Sequence, residues 1–229
     1  MSIAENILRV KSELGDRAKL VAVSKTKPVE DLMEAYNAGQ RLFGENKVQE
    51  LVGKNDTLPD DIQWHYIGHL QTNKVKYIAP FVSVIHAVDS LKLLKTINKE
   101  AKKNNRVIEC FLQFHIAQED TKFGLDEQDA EAILNAETFK TFENIRITGV
   151  MGMATYTPDK EQVRAEFKKL KSIFDSIKSK YFSNTGSFKE ISMGMSGDYK
   201  LAVEEGSTIV RVGSMIFGAR QKAKVKSEK

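Results

Sequence analysis

Leu20-Val21-Ala22-Val23-Ser24, running straight into Lys25-Thr26-Lys27-Pro28, is the stretch on which the fold turns. Its first four residues are apolar and two are β-branched, which fits a buried strand. Pro28 sits where a first helical turn tolerates it, Leu32 and Tyr36 follow on one face, and Gly39 suits a C-cap. The turn between them, Ser24-Lys25-Thr26, lacks the glycines that a doubly wound open sheet more often carries at its first turn. The same unit recurs along the chain. Short apolar, β-branched runs stand at Leu20–Ser24, Arg41–Glu45, Ile62–Ile67, Val82–Ala87, Val107–His115, Ile145–Met151, Glu190–Met195 and Thr208–Val212. Strand and helix in strict alternation imply parallel strands with helical crossovers. Eight units in 229 residues predict one closed (β/α)8 TIM-type barrel, a fold that takes ~250 residues and sometimes nearer ~200.

Other helices are legible from their stripes. Ile3, Ile7, Val10 and Leu14 recur at helical spacing and end at Gly15, an extra helix ahead of the first strand. Leu94, Ile97 and Ala101 follow the capping residues Asp89 and Ser90. The clearest helix is expected to begin at Thr157-Pro158 and carries Val163, Phe167, Leu170, Phe174, Ile177 and Tyr181 on one face, a core stripe. With no linker-like stretch, residues 1–229 read as a single domain, 222–229 being a frayed basic tail.

Composition narrows the function classes. Hydrophobic residues make up 41% and charged residues 29%, an ordinary soluble balance with no run long enough to span a bilayer. Met1 to Gly15 is amphipathic but lacks the unbroken apolar stretch of a signal peptide, so the chain is expected to stay in the cytoplasm. Cys110 is the only cysteine, which fits a reducing compartment. Net charge is +4, with Lys222, Lys224, Lys226 and Lys229 clustered at the end; no aromatic residues interleave with them as a nucleic-acid stacking platform would require.

Side chains alternate faces along a strand, so inward positions can be sorted. Val21, Val23 and Lys25 share one face, and Lys25 stands at the C-terminal end of its strand, where barrels place their chemistry. A desolvated lysine loses its proton more readily, and a neutral amine attacks an aldehyde to form a Schiff base. In the seventh run Ile191, Met193 and Met195 are assigned to the helix-facing side and Glu190, Ser192, Gly194 and Ser196 to the interior. In the eighth, Ile209, Arg211 and Gly213 face inward, with Ser214 following. An inward arginine is either half of a structural ion pair with a barrel glutamate or a fixed donor to a ligand. The loops after strands seven and eight are the usual phosphate site of this fold. A Schiff-base lysine, an inward arginine and a two-loop phosphate site together describe a pyridoxal phosphate pocket.

The remaining candidates are weaker. His65 shares the parity of Gln63 and Ile67 and points inward on this reading. His65 and His69 would make a metal pair only on a helix, and the stretch reads as strand then loop, so no metal is expected. His86 and His115 fall in strands as core or lining residues, and Cys110, alternating with Ile108 and Leu112, reads as a small buried hydrophobe.

The motifs AVSKTKP (Ala22–Pro28), FGEN (Phe43–Asn46) with VQE (Val48–Glu50), WHYIGHLQTNK (Trp64–Lys74), MGMSGD (Met193–Asp198) and VRVGSMIFGAR (Val210–Arg220) stand in order over nearly the whole chain. With them the sequence resembles the pyridoxal phosphate homeostasis protein family, whose barrel is similar to the N-terminal domain of alanine racemases. The resemblance implies that Lys25 forms the Schiff base with pyridoxal 5′-phosphate. It implies that Ser196, Gly213 and Ser214 hold the phosphate, that Arg211 faces the pyridine nitrogen, and that Asn46 lines the pocket. It also implies a cytosolic monomer. Position 214 is serine where many relatives have threonine, which keeps the hydroxyl. Lys122, in the loop Thr121–Gly124, stands where alanine racemases carry an arginine near the cofactor, and is only a weak candidate for a contact.

Holder and enzyme remain distinct expectations. Two-base racemization needs an acid/base group on each face of the substrate carbon; alanine racemases draw the second, a tyrosine, from a C-terminal domain for which this sequence has no counterpart, leaving Tyr156 and Tyr199 as speculative replacements. An arginine at the pyridine nitrogen weakens the ring as an electron sink, although alanine racemases manage with one. The expectation is therefore a non-enzymatic holder in vitamin B6 homeostasis that passes cofactor to apo-enzymes. A weakly active racemase is the alternative, and a cofactor-free Schiff-base aldolase, which would be colourless, is the third.

Overall fold

A computed structural model of the chain describes residues 1–118 and 123–219. Eight parallel strands close into a barrel in chain order: β1 (Lys19–Val23), β2 (Leu42–Glu45), β3 (Gln63–Tyr66), β4 (Val84–Val88), β5 (Ile108–Phe114), β6 (Ile145–Gly152), β7 (Glu190–Ser192) and β8 (Ile209–Val212). β8 returns to β1, placing Val21 opposite Arg211 and Ala22 opposite Val212. The expected (β/α)8 barrel is therefore the fold.

The alternation read from the strands separates two apolar layers. Leu20, Ala22, Phe43, Trp64, Cys110, Ile191 and Met193 pack outward against helices. Val21, Val84, Ala87, Phe111, Met151 and Ile209 meet inside the barrel. β4 breaks strict alternation: its pairing with β5 is irregular between Ile85 and Val88. His86 and Ala87 thus both reach the interior, the His86 ring lying 4.4 Å from that of Phe111.

Around the barrel run α1 (Ile3–Leu14), α2 (Val29–Asn37), α3 (Val48–Asn55), α4 (Val75–Ile78), α5 (Leu91–Lys103), α6 (Glu127–Asn135), α7 (Glu137–Lys140), α8 (Lys160–Tyr181), α9 (Tyr199–Glu204) and α10 (Ser214–Phe217). The extra N-terminal helix α1 has a capping box between Ser2 and Glu5 and buries Ile7, Val10 and Leu14. It also braces the last two helices: the Asn6 amide donates to the Ile216 carbonyl at 3.1 Å, Lys200 pairs with Glu13 at 3.1 Å, and the Tyr199 hydroxyl donates to the same carboxylate. The helix expected from Thr157-Pro158, with Thr157 as its cap, begins two residues later. Asp159 is its N-cap, its carboxylate accepting the Glu161 and Gln162 N–H groups, and the Thr157 hydroxyl accepts the Asp159 N–H instead. Pro28 likewise precedes α2 as its N-cap residue.

β7 is shorter than its sequence run because regular pairing ends at Ser192, although the Met193 N–H still donates to the Ile209 carbonyl at 3.2 Å and the Gly194 carbonyl accepts the Arg211 N–H at 2.9 Å. Gly194 takes φ +92, and a Cβ there would lie 2.6 Å from the Ala202 Cβ and 2.9 Å from the Tyr199 Cα. The glycine lets the strand end fold tightly over α9. Gly194→Ala is expected to lower stability by ~1–3 kcal/mol through overpacking and the left-handed backbone. A urea midpoint equal to that of the parent chain would contradict this close approach.

Candidate functional site

At the C-terminal end of the barrel lies a cavity of about 740 Å³. That is ample for a small cofactor. Lys25, Asn46, Ser196, Arg211, Gly213 and Ser214 all line it, so the structure brings together every site residue expected from the sequence. Lys25 is half-buried and lies two residues past β1, with Thr26 beyond it at φ +64. Asn46 follows β2, and Gly68 closes against it. A Cβ at 68 would fall 2.5 Å from the Asn46 carbonyl oxygen, so only glycine allows the ends of β2 and β3 to meet there.

The two loops after β7 and β8 are tied to each other. Asp198 Oδ1 accepts the Met195 N–H at 2.5 Å and so shapes the turn that carries Ser196. Ser196 Oγ accepts the Gly213 N–H at 3.2 Å, leaving its own O–H as a donor. Ser214 opens the short α10 and is exposed at the rim.

Arg211 is 4% exposed, and its contacts decide between the two readings of an inward arginine. Its guanidinium donates to the Ser192 carbonyl at 2.8 Å, to Ser192 Oγ at 2.5 Å and to the Gly152 carbonyl at 3.0 Å. All three acceptors are neutral, so it is not half of an ion pair with a barrel glutamate. Glu190 pairs instead with Lys19 at the opposite end, and Glu45 bonds Ser24 and Lys54 on the helix-facing side. Burial lowers the Arg211 pKa to about 10, with Asp198 opposing the shift, and the group stays charged at neutral pH. Among the described residues those three bonds leave two of its five N–H donors for whatever enters the cavity.

Behind Arg211 runs a buried polar chain. His86 Nδ1 lies 2.9 Å from Ser192 Oγ, and His86 Nε2 lies 2.8 Å from His65 Nδ1. Arginine can only donate, so the Ser192 hydroxyl accepts from Arg211, and it shares a further hydrogen bond with His86 Nδ1. The two imidazoles share one hydrogen between His86 Nε2 and His65 Nδ1, so the tautomer of one sets that of the other. Burial holds His65 at about 3, helped by the charge of Lys19, and holds His86 well below its ordinary 6.5, helped by His65 and Arg211. The expected inward course of His65 is thus correct, with a core partner rather than a ligand.

The cavity also holds residues that were not singled out. Gln113 extends the inward parity of Phe111 and donates to the Phe123 carbonyl at 3.0 Å; the alternation of β5 carried that signal. Lys27 lines the cavity and donates to the Phe217 carbonyl at 2.5 Å. His69 stacks on Phe123 with ring centroids 4.7 Å apart and lies 3.4 Å from Asp89. Tyr156 is on the cavity rim, but Tyr199 is not in the cavity. It is buried against α1, where desolvation and the bond to Glu13 push its pKa up to about 12. Cys110 faces the helices, where burial pushes its thiol up. Among the described residues no three His, Cys, Asp or Glu side chains gather to hold a metal, and no helix is long and apolar enough to cross a membrane. Lys122 and the basic tail lie outside the described residues.

A family profile described as "Alanine racemase, N-terminal domain" matches residues 1–221. A pyridoxal phosphate homeostasis protein of Aquifex aeolicus (strain VF5) is 40% identical over 205 residues, covering 89% of this chain and 88% of its own length. The chain belongs to the pyridoxal phosphate homeostasis protein family. A human member is 38% identical over 216 residues, 90% of this chain and 78% of its own. PipY of Synechococcus elongatus PCC7942, solved with PLP bound, matches with a TM-score of 0.85 at 34% identity over 95% of this chain and 100% of that one. Alanine racemase from Streptomyces coelicolor A3(2), with a TM-score of 0.76 but 14% identity, shares the barrel alone; the match covers 95% of this chain and 58% of that one.

The neutral histidine pair makes stability depend on pH. The unfolded chain takes up protons on these histidines as pH falls below about 6.5, while the fold keeps His65 neutral until about 3. The contribution is complete above pH 6.5 and is lost on acidification, at roughly 1.4 kcal/mol per pH unit for each histidine. Denaturation of His65→Gln between pH 6 and 5 is expected to show a slope shallower than the parent's by about one such increment. Equal slopes would mean that His65 titrates normally inside the barrel.

Proposed function

We propose that this chain holds pyridoxal 5′-phosphate and serves vitamin B6 homeostasis as a carrier rather than as an enzyme. The observation that carries the reading is the donor set of one cavity. An amine, a guanidinium and two serine hydroxyls converge there, matching the aldehyde, the ring nitrogen and the phosphate of that cofactor. PipY, at 34% identity, is a relative solved with PLP bound. When bound, the cofactor would supply an aldehyde, and the Lys25 amine would hold it as a Schiff base with loss of one water.

The chain's own residues divide the remaining work. The Ser196 and Ser214 hydroxyls, with the backbone at Gly213 and Ser214, take the phosphate. Arg211 offers a spare N–H to the ring nitrogen, and Asn46 lines the adjoining wall. Arg211 is held by neutral acceptors and stays protonated, so it donates to the ring nitrogen without giving it a proton. That weakens the ring as an electron sink, a trait alanine racemases share, so the case for a holder rests on the acid/base groups. The acid/base pair of a racemase also lacks support here: Tyr199 is engaged with Glu13 behind the barrel, and Tyr156 is 95% exposed. The reading extends to one domain acting as a monomer in the cytoplasm, with apo-enzymes that need the same cofactor as recipients. Cys110, buried as a free thiol, suits a reducing compartment.

Two measurements test this. The purified chain is expected to show a visible absorption band that Lys25→Ala abolishes; a colourless parent chain would favour the cofactor-free aldolase instead. Mixing the loaded protein with an apo-enzyme is expected to restore that enzyme faster than the same concentration of free cofactor does. Equal rates would remove the carrier role while leaving binding intact.

A further inference from the structure

A buried cation on the far side of β1 has no part in the cavity. Lys54, in α3, is 5% exposed and does not line the cavity. Its ammonium donates to the Ser24 carbonyl at 2.8 Å, to Glu45 Oε1 at 2.6 Å and to Glu50 Oε1 at 2.8 Å. The Ser24 hydroxyl donates to the same Glu45 oxygen at 2.7 Å. Glu50 Oε1 in turn accepts the backbone N–H of Thr26. Ser24 and Thr26 are the two chain neighbours of Lys25. The carbonyl before that residue and the N–H after it are therefore both held by one cluster, built from the end of β2 and the first two turns of α3.

The turn needs such a hold. Thr26 is β-branched and sits at φ +64, a conformation that persists only where its surroundings over-determine it. The Ser24 carbonyl also accepts the Lys27 N–H at 3.0 Å, closing the turn over Lys25. Desolvating an ammonium and two carboxylates is costly, and apolar side chains of similar volume would stabilise the same space as well or better. What they could not do is donate to Ser24 and fix Glu50 under Thr26.

We propose that Lys54 is a positioning residue for Lys25, setting the backbone on both sides of it so that its amine is aimed into the cavity. The inference rests on Lys25 as the point of cofactor attachment. Strand alternation turns residue 24 toward the helices and residue 25 toward the cavity, so a clamp on the outer face governs the inner one without touching the ligand.

The test compares Lys54→Met with the parent, both as full chains. On adding pyridoxal 5′-phosphate to apo-protein, the visible band is expected to form at least tenfold more slowly in the variant. Pyridoxine 5′-phosphate has no aldehyde and reports on the phosphate loops and Arg211 alone; its affinity is expected to stay within twofold. Amide exchange at Thr26 in the apo-protein is expected to quicken. A parental rate of band formation, or a parallel loss of pyridoxine 5′-phosphate binding, would overturn the positioning role. If Lys54→Met does not fold, Glu50→Gln, at a partly exposed side chain, is put through the same three measurements. A parent chain that forms no band at all sinks the cofactor reading, and Thr26 exchange then decides the clamp separately.

Discussion

Residues 21 and 211 stand side by side because β8 pairs with β1, and the site exists only through that closure. The strand that ends at Lys25 and the strand that ends at Gly213-Ser214 run side by side in the same direction, so both finish at one rim. Gly213 presses on β1 there, with a Cβ at that position meeting the Val23 carbonyl oxygen at 3.1 Å. The Ser196 hydroxyl then ties the end of β7 to the same glycine. Lys25 and the loops that carry Ser196 and Gly213 are nearly the whole chain apart in sequence and line one cavity. A break in barrel closure would part the amine from those loops.

The interior below that rim is polar in a directed way. A charged guanidinium starts the chain at Arg211 and can only give hydrogen bonds. Ser192 accepts from it, and His86 and His65 continue the line of contacts as a coupled pair of imidazoles. Neutral imidazoles suit the arrangement, because a second buried cation beside Arg211 would face both repulsion and desolvation. The guanidinium is the one charged member of this chain of bonds, and on the proposed reading an electron-rich ring nitrogen is its partner.

The architecture and the inward-facing site residues were legible because they follow from period-two alternation and from the place of each run in the chain. Lys25, Ser192 and Arg211 could be assigned faces by parity alone. The start of α8 was misplaced because Thr157 and Asp159 are both good caps, and only the geometry around Pro158 selects the aspartate. The end of β7 was overrun because a positive φ at Gly194 is not written in hydrophobicity, and past Ser192 the parity fails: Gly194 packs on α9 rather than facing inward, and Met195, assigned to the helix side, lines the cavity. Parity by itself does not describe β4, where an irregular pairing sends two consecutive residues inward. The Lys54 cluster was invisible for a different reason: a lysine on a short amphipathic helix looks solvated until the strand ends that cover it are in place.

That last case shows how the two faces of one strand divide labour. On β1 and its extension the inward residues carry chemistry while the outward ones carry attachment to helices. Ser24 and Lys25 are consecutive, yet one bonds a buried carboxylate and the other lines the cavity. A side chain as long as lysine has many rotamers, and ordering its tip costs entropy that a loose backbone would multiply. Holding the peptide groups on either side from behind removes that extra freedom without placing any atom in the ligand's way. A barrel suits this arrangement because its outer layer is packed helix against strand, which supplies a rigid support for a residue whose own end must remain accessible.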